Sequence, residues 1–270
     1  MSEVLDDSGA GKETVMERRR TYLWRECMMN IACFEKDSEC FHFGSQSEGT
    51  TIPGLQSDID CLHFMNIVNI MRVWEDWEAG MISMMMLHDD ITPPQQYLLQ
   101  VIRNNIPELE TSLYEDLLVR TDSGQVLLSA ERCKDVMKYQ VQEKGKVTIH
   151  GPSVSFMYNW DMVSAFPVCK PLPEIQYWID RCTARHWPPL KLLEAARVVP
   201  CFLVPAGHPE NVYKREEWRL SLNLIKRMLI FSLKISQLKC YIVLKLINTS
   251  LFSNIVGDAL TSFHSKTIMF

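Results

Sequence analysis

The sequence predicts an α+β fold, a mixed sheet entered by one long helix and followed by a helical lobe. Three observations predict it. Short runs rich in β-branched and aromatic residues recur between Phe41 and Val168, and apolar residues at helical spacing take over after Pro173. A strict two-residue alternation returns once, at Trp218, Leu220, Leu222 and Leu224. At 270 residues, 47% hydrophobic and 23% charged, the chain can bury a large core, which excludes disorder and collagen-like repeats. Two lobes are expected, 13–173 and 174–270, behind a disordered tail at 1–12.

The elements follow in order. Residues 1–11 are polar and contain glycine, so they read as mobile. Met1 to Lys12 lacks a basic start and an apolar core, so it is not a secretory signal and a cytoplasmic protein is expected. From Thr14 to Glu35, Val15, Tyr22, Cys27, Ile31 and Phe34 mark the buried face of one long helix, with Arg18, Arg19 and Arg20 on its flank. Phe41 to Ser45 begins a new element, and Thr50 to Ser57, with Pro53 and Gly54, is a loop. Asp58 to Val68 reads as a strand. Met81 to Leu87 reads as a second, and Ser83 is its only polar residue, which suits a central strand covered on both faces. Thr92-Pro93-Pro94 stops the sheet, and Gln95 to Asn104 reads as a short helix. Val126 to Leu128, Val147 to Ile149 and Asp161 to Val168 are further strands, the last limited by Pro167, and the sheet ends near Pro173.

Helices are then expected at Glu174 to Cys182 and Leu190 to Arg197. After the Trp218 strand, whose polar face carries Arg219, Ser221 and Asn223, they are expected at Ile225 to Leu233, Gln237 to Ile247 and Asp258 to Ile268. Lys234, Lys239 and Lys245 interrupt the most apolar stretch, Leu229 to Leu246, so it falls short of the ~20 residues of a membrane span. Nine cysteines without a C-x-x-C pair fit neither a disulfide framework nor a zinc ribbon and read as small buried hydrophobes.

The net charge of −5 is unevenly spread. Lys214 to Lys266 carries nine Lys or Arg against three acidic residues, about +6, which leaves about −11 for the rest. That division suits a cleft with a metal on one wall and phosphates on the other, or equally two solvated faces of opposite sign.

The sharpest chemistry lies in Gly44-Ser45 and Asp58-Ile59-Asp60. Carboxylates at i and i+2 of a strand share a face; buried together they repel, and a hard cation such as Mg²⁺ or Mn²⁺ is their natural partner. Gly44 lets backbone approach a phosphate closely, and the Ser45 hydroxyl can donate to it. D-x-D alone is far more often a surface pair, and it is Gly44-Ser45 at this distance, together with the apolar Ile59 and Cys61, that favours the site.

Phe43-Gly44-Ser45-Gln46-Ser47-Glu48-Gly49 and Asp58-Ile59-Asp60-Cys61 resemble the signature of Pol β-type nucleotidyltransferases. The closer resemblance is to the Mab family, which includes cyclic GMP-AMP synthase and the cGAS-like receptors. His150-Gly151-Pro152-Ser153, Trp178-Ile179-Asp180-Arg181 and His186-Trp187-Pro188 look like its invertebrate, especially molluscan, members. Phe202-Leu203-Val204-Pro205, Glu217 to Ser221 and Leu260 to Thr267 resemble its later blocks.

The resemblance implies a nucleotidyltransferase lobe on a helical lobe of the helix-hairpin-helix type. It implies an enzyme that joins ATP and GTP into a cyclic dinucleotide on sensing double-stranded nucleic acid, RNA sooner than DNA, in innate immune signalling. Asp58, Asp60 and Asp161 would hold the catalytic Mg²⁺ or Mn²⁺, Asp161 from a position that is otherwise a solvent-facing strand start. Arg219 and Ser221 would hold a base, and Asn223 stands where the family often has Ser. Lys245 and Ser262 would reach phosphate, Phe263 would stack on a base without the usual phenol, and Arg18, Arg19 and Arg20 would grip duplex phosphates, though each basic residue is equally readable as a solvated helix face. Ser232 runs to Cys240 without the family's zinc insert, so no zinc is expected, and the chain stops at Phe270, which implies a shortened, marginally stable helical lobe. A Mab-type protein that binds nucleotide or partners without catalysis is the alternative.

Overall fold

The computed structural model describes residues 2–33, 37–53, 57–102, 116–157, 159–168, 172–183, 185, 187–252, 255, 257 and 261–269, with Ser262 and Phe263 as backbone only. The N-terminal segment is folded, contrary to the tail expected there. Helix α1 (Ser2–Leu5) runs into a π-helical turn, Asp6–Ala10. Leu5 and Ala10 are buried against Ile52 and Ile242, and Lys239 Nζ donates to Ser2 Oγ at 2.8 Å and pairs with Asp6 at 2.6 Å. Two apolar side chains together with polar contacts from Lys239 and Arg18 dock a segment whose composition reads as polar.

The long helix α2 (Lys12–Cys33) is present, but it buries a different stripe from the one its apolar spacing suggests. Val15 is buried as expected, whereas Cys27 and Ile31 are exposed and Arg19 and Glu26 take the inner positions; Phe34 lies outside the described residues. Both polar groups are paired. Glu26 forms a 2.7 Å ion pair with Arg227 and accepts the His42 N–H at 2.8 Å, while Arg19 donates to backbone carbonyls of two other elements. Buried charge is tolerated where such partners are supplied.

Strand β1 (Ser38–Phe43) leads through the short helix α3 (Gly44–Glu48) to β2 (Ile59–Met65) and β3 (Val68–Met71). The single strand expected over Asp58 to Val68 is therefore two, broken by a turn at Asn66 and Ile67. Next come β4 (Ile82–Leu87), β5 (Gln96–Val101), β6 (Leu118–Arg120), β7 (Val126–Leu128) and helix α4 (Ala130–Val141), then β8 (Thr148–His150), β9 (Ser153–Phe156) and β10 (Trp160–Val168). The remaining elements are α5 (Pro173–Thr183), α6 (Leu190–Val198), β11 (Cys201–Val204), β12 (Trp218–Ser221), α7 (Asn223–Ser232), α8 (Ile235–Ile247) and α9 (Ser262–Met269).

The sheet is mixed and 12-stranded, in the order β1-β2-β10-β11-β12-β5-β4-β3, with β9 and β8 beside β10 and β7 and β6 beside β5. Two sequence expectations fail here. The segment read as a helix from Gln95 is strand β5, because Tyr97, Leu98 and Leu99 are all buried and it pairs with β4, β12 and β7. Nor does the sheet end near Pro173. β11 and β12 lie inside it, between β10 and β5, and bring Phe202, Leu203 and the fully buried Trp218 into the core. β4 lies one place from the β3 edge rather than at the centre.

The largest core cluster joins one sheet face, with Ile70, Met84 and Leu99, to Ile175 and Ile179 of α5, Leu193 of α6 and Leu229 of α7. Each such side chain stabilises the packing of helices on sheet by ~1.5–3 kcal/mol. No described helix is long and apolar enough to cross a membrane. Of the described cysteines, Cys40, Cys61, Cys182 and Cys201 are buried, and Cys27 and Cys240 are exposed.

Candidate functional site

The site is built where two strands distant in sequence run parallel, one place in from the β1 edge of the sheet. β2 and β10 pair in register, Asp60 opposite Asp161 and Cys61 opposite Met162. Registered partners in a parallel pair put their side chains on the same face, so the two carboxylates face one cleft. Asp58 lies two residues before Asp60, just outside β2, and is exposed. Asp161 is fixed from its other side, where Ser155 of β9 donates its hydroxyl to Oδ1.

The turn after β1 closes over Asp60. Phe43 is the registered partner of Asp60, and Gly44 begins α3 with φ +75°. A Cβ at position 44 would overlap Asp60 Oδ2 and sit 2.8 Å from Asp60 Cγ. Glycine is thus required twice, for the left-handed backbone and for the space the carboxylate occupies. The turn itself is held by Thr50 N–H to Ser45 O at 2.9 Å, Gln46 Nε2 to Ser57 O at 3.1 Å and Arg19 Nε to Glu48 O at 2.9 Å.

Opposite stands a cationic wall. Lys245 of α8 is buried and donates to Ser45 Oγ at 2.7 Å. Lys266 of α9 pairs with Glu48 at 2.7 Å. Glu48 is itself buried, and its second oxygen, Oε2, has no hydrogen-bond partner.

Electrostatics record the crowding. Burial, followed by the charge of Asp161, pushes Asp60 up to about 6, with Glu48 and Asp58 adding and Lys266 opposing. Asp58 is raised by the same two causes in the same order, and His150 opposes. On the other wall Lys245 is pushed down to about 8 by burial and then by Lys266, against Glu48 and Asp60. Lys226 of α7 is likewise pushed down to about 8 by burial and then by Lys266 and Arg219.

A hard divalent cation fits this donor set. The ligands offered are oxygens, they repel one another when ionised, and a carboxylate oxygen of Glu48 is buried without a partner nearby. The fit is to a pair of carboxylates rather than to a closed cage. Among the described residues no three His, Cys, Asp or Glu side chains are grouped closely enough to hold a metal ion.

The other expected residues are distributed as follows. Ser221 is partly buried on β12 opposite Phe202, and Arg219 is exposed opposite Val204. Ser262 and Phe263 begin α9, and their side chains lie outside the described residues. The three arginines of α2 do not form one face. Arg18 donates to Gly9 O and Thr51 O, Arg19 is buried and donates to Glu48 O, Ile230 O and Phe231 O, and Arg20 alone is exposed. Sequence reasoning assigned no role to Glu48, Lys226 or Lys266. Glu48 and Lys266 do fall inside the quoted motifs, and a signal for them was the opposite charge they bring to one place. No protein-family model matches the chain, and no curated protein matches it.

Proposed function

We propose that the protein is a metal-dependent nucleotidyltransferase that joins nucleoside triphosphates, in the manner of the cGAS-like receptors, into a cyclic dinucleotide. The observation that carries the reading is the register of Asp60 against Asp161 beneath the Gly44–Ser45 turn, with Lys245 on the Ser45 hydroxyl. Asp60 and Asp161 would hold Mg²⁺ or Mn²⁺, with Asp58 reaching in from outside β2, and the cation would supply charge neutralisation at phosphate and acidify an attacking hydroxyl. The chain's own residues do the rest. Ser45 and Lys245 offer a hydroxyl and an ammonium to a triphosphate, and a nucleotide phosphate entering between them replaces a contact that the two now make with each other. Arg219 and Ser221 lie on β12 at the far side of the same sheet region, where a base would be held.

A second reading, nucleotide binding without transfer, is favoured by the exposed position of Asp58 outside β2. Incubating the protein with labelled ATP and GTP, Mg²⁺ or Mn²⁺, and duplex RNA or DNA separates the two. A cyclic product that disappears in Asp60→Asn supports transfer. Nucleotide binding with no product under any of these conditions would leave the binding module.

A further inference from the structure

Apart from the carboxylate cleft, the molecule has a second concave region of one charge. A cavity of about 310 Å³ opens between α5, α7 and α9. Its wall includes Arg181 from the last turn of α5 and Arg185 just beyond it, Lys226 from α7 and Lys266 from α9, with the indole of Trp178 beside them and, among the described residues, no acidic side chain. In a chain of net charge −5, four cations around one hollow are a local reversal of sign. Like charges gathered in a low-dielectric concavity focus potential inside it and attract a counter-ion of matching multiplicity. Two of the four, Arg181 and Arg185, are exposed on the rim, where they cost little to keep charged. Lys226 and Lys266 lie deeper. Lys226 is pushed down to about 8 chiefly by burial and secondly by Lys266, a penalty that a bound anion would relieve.

We infer that this cavity is a binding site for a small polyphosphate, set by Arg181, Arg185, Lys226 and Lys266 and separate from the carboxylate pair. The size decides against a duplex. About 310 Å³ is at the low end of small-ligand pockets and admits a short chain of phosphates, whereas a nucleic-acid backbone needs an extended groove. Arginine forks on the rim suit bidentate recognition of phosphate oxygens, and the two lysines suit the terminal charges. Lys266 also makes the site consequential. The same ammonium pairs with Glu48 at 2.7 Å, on the side of Asp60, so an anion in the cavity competes with Glu48 for it and couples the two sites.

The test is titration calorimetry of the full chain with inorganic tripolyphosphate at low ionic strength in EDTA, which silences divalent-dependent binding at the carboxylates. Saturable one-to-one binding is expected, weakening with salt, and Arg181→Glu with Arg185→Glu should reduce affinity at least about tenfold. Both arginines are exposed, and the milder Arg181→Gln with Arg185→Gln, checked by thermal melting, should lower affinity in the same direction. ATP and AMP are the second arm. ATP binding with the same arginine dependence identifies the source as a nucleotide's phosphate tail, and tripolyphosphate binding without ATP binding identifies a free polyphosphate; either supports the site. Because EDTA removes the divalent cation that nucleotide joining requires, failure of nucleotide joining and failure of this site are read separately. No tripolyphosphate or ATP binding, or unchanged affinity in both arginine variants, overturns the inference. Arginine-dependent binding of duplex RNA alone would overturn it in favour of nucleic acid.

Discussion

The two walls of the cleft are opposite in sign and alike in their discomfort. On the strand wall Asp60 is held up at about 6, and on the helix wall Lys245 is held down at about 8. Burial is the first cause in both. What differs is the repair: the strand wall faces a second carboxylate, Asp161, in register, whereas the helix wall has Glu48 for Lys266 and a hydroxyl for Lys245. The cations are therefore paired within the protein, whereas on the strand wall Asp161 has the Ser155 hydroxyl and Asp60 is left facing a like charge. A cation on one side and a polyanion on the other would relieve both walls together.

The largest effect should come from breaking the strand wall. Asp60→Asn is expected to lower metal-dependent nucleotide joining at least ~10³-fold, measured as product per enzyme, because the ligand charge is lost. The same change should stabilise the metal-free protein. A carboxyl whose folded pKa is raised from about 3.9 to about 6 binds its proton more tightly when folded, so ionisation costs stability as pH rises through that window. The full cost, up to roughly 3 kcal/mol, is present at pH 7 and absent below pH 4. Urea melts of Asp60→Asn and wild type at both pH values check this. A variant less stable than wild type at pH 7 without metal would contradict the crowding.

Next is the fastener between the walls. Arg19 ties α3 to the C-terminal carbonyls of α7, so Arg19→Glu should cost about 3–5 kcal/mol by burying an unpaired charge. Arg20→Glu, on the exposed side, should leave stability unchanged. If the protein grips duplex nucleic acid along α2, Arg20→Glu should reduce the salt slope by only about one and affinity a few-fold. A large loss of duplex affinity in Arg19→Glu would then report unfolding, which circular dichroism separates from a lost contact.

The helix wall gives a smaller, pH-dependent effect. Lys245 is charged below its pKa of about 8, so ATP affinity should fall as pH rises from 7 to 9, by up to ~tenfold. Stability moves the other way. The unfolded lysine keeps its proton to about 10.4, so the cost of burying the charge is present below about 8 and disappears between there and 10.4. Lys245→Met should flatten both trends, and fluorescence titration of ATP at several pH values reads the first. The smallest effect is expected at Gly44→Ala, ~1–2 kcal/mol of backbone strain plus a displaced Asp60 carboxylate, seen as weaker metal binding.

How much of this was legible in the sequence depended on whether the chemistry was local. Gly44, Ser45, Asp58 and Asp60 lie within seventeen residues, and their types and spacing suffice to mark them as one group. Asp161 joined them only through the family resemblance, because the register of the parallel pair that brings it opposite Asp60 is encoded by no local pattern. Strand β5 was misread because Gln96 to Val101 contains residues at ease in a helix, and pairing on both edges overrode that preference. The buried Arg19 and Glu26 were invisible for a related reason. An apolar stripe was sought on α2, and the inner stripe is polar because other elements bring its partners.

The parallel pairing of β2 with β10 also has a bearing on synthesis. About a hundred residues separate Asp60 from Asp161, so at ~5–20 residues per second β2 waits roughly 5–20 s on the ribosome for its inner neighbour. During that interval β1 can already pair on one side, and the other edge, with Cys61, Leu62 and Phe64, is an open strand that invites pairing with another chain. Asp60 sits on that edge, and a charge there works against such self-association. The residue that makes the mature cleft electrostatically uncomfortable is, in the nascent chain, a guard against aggregation.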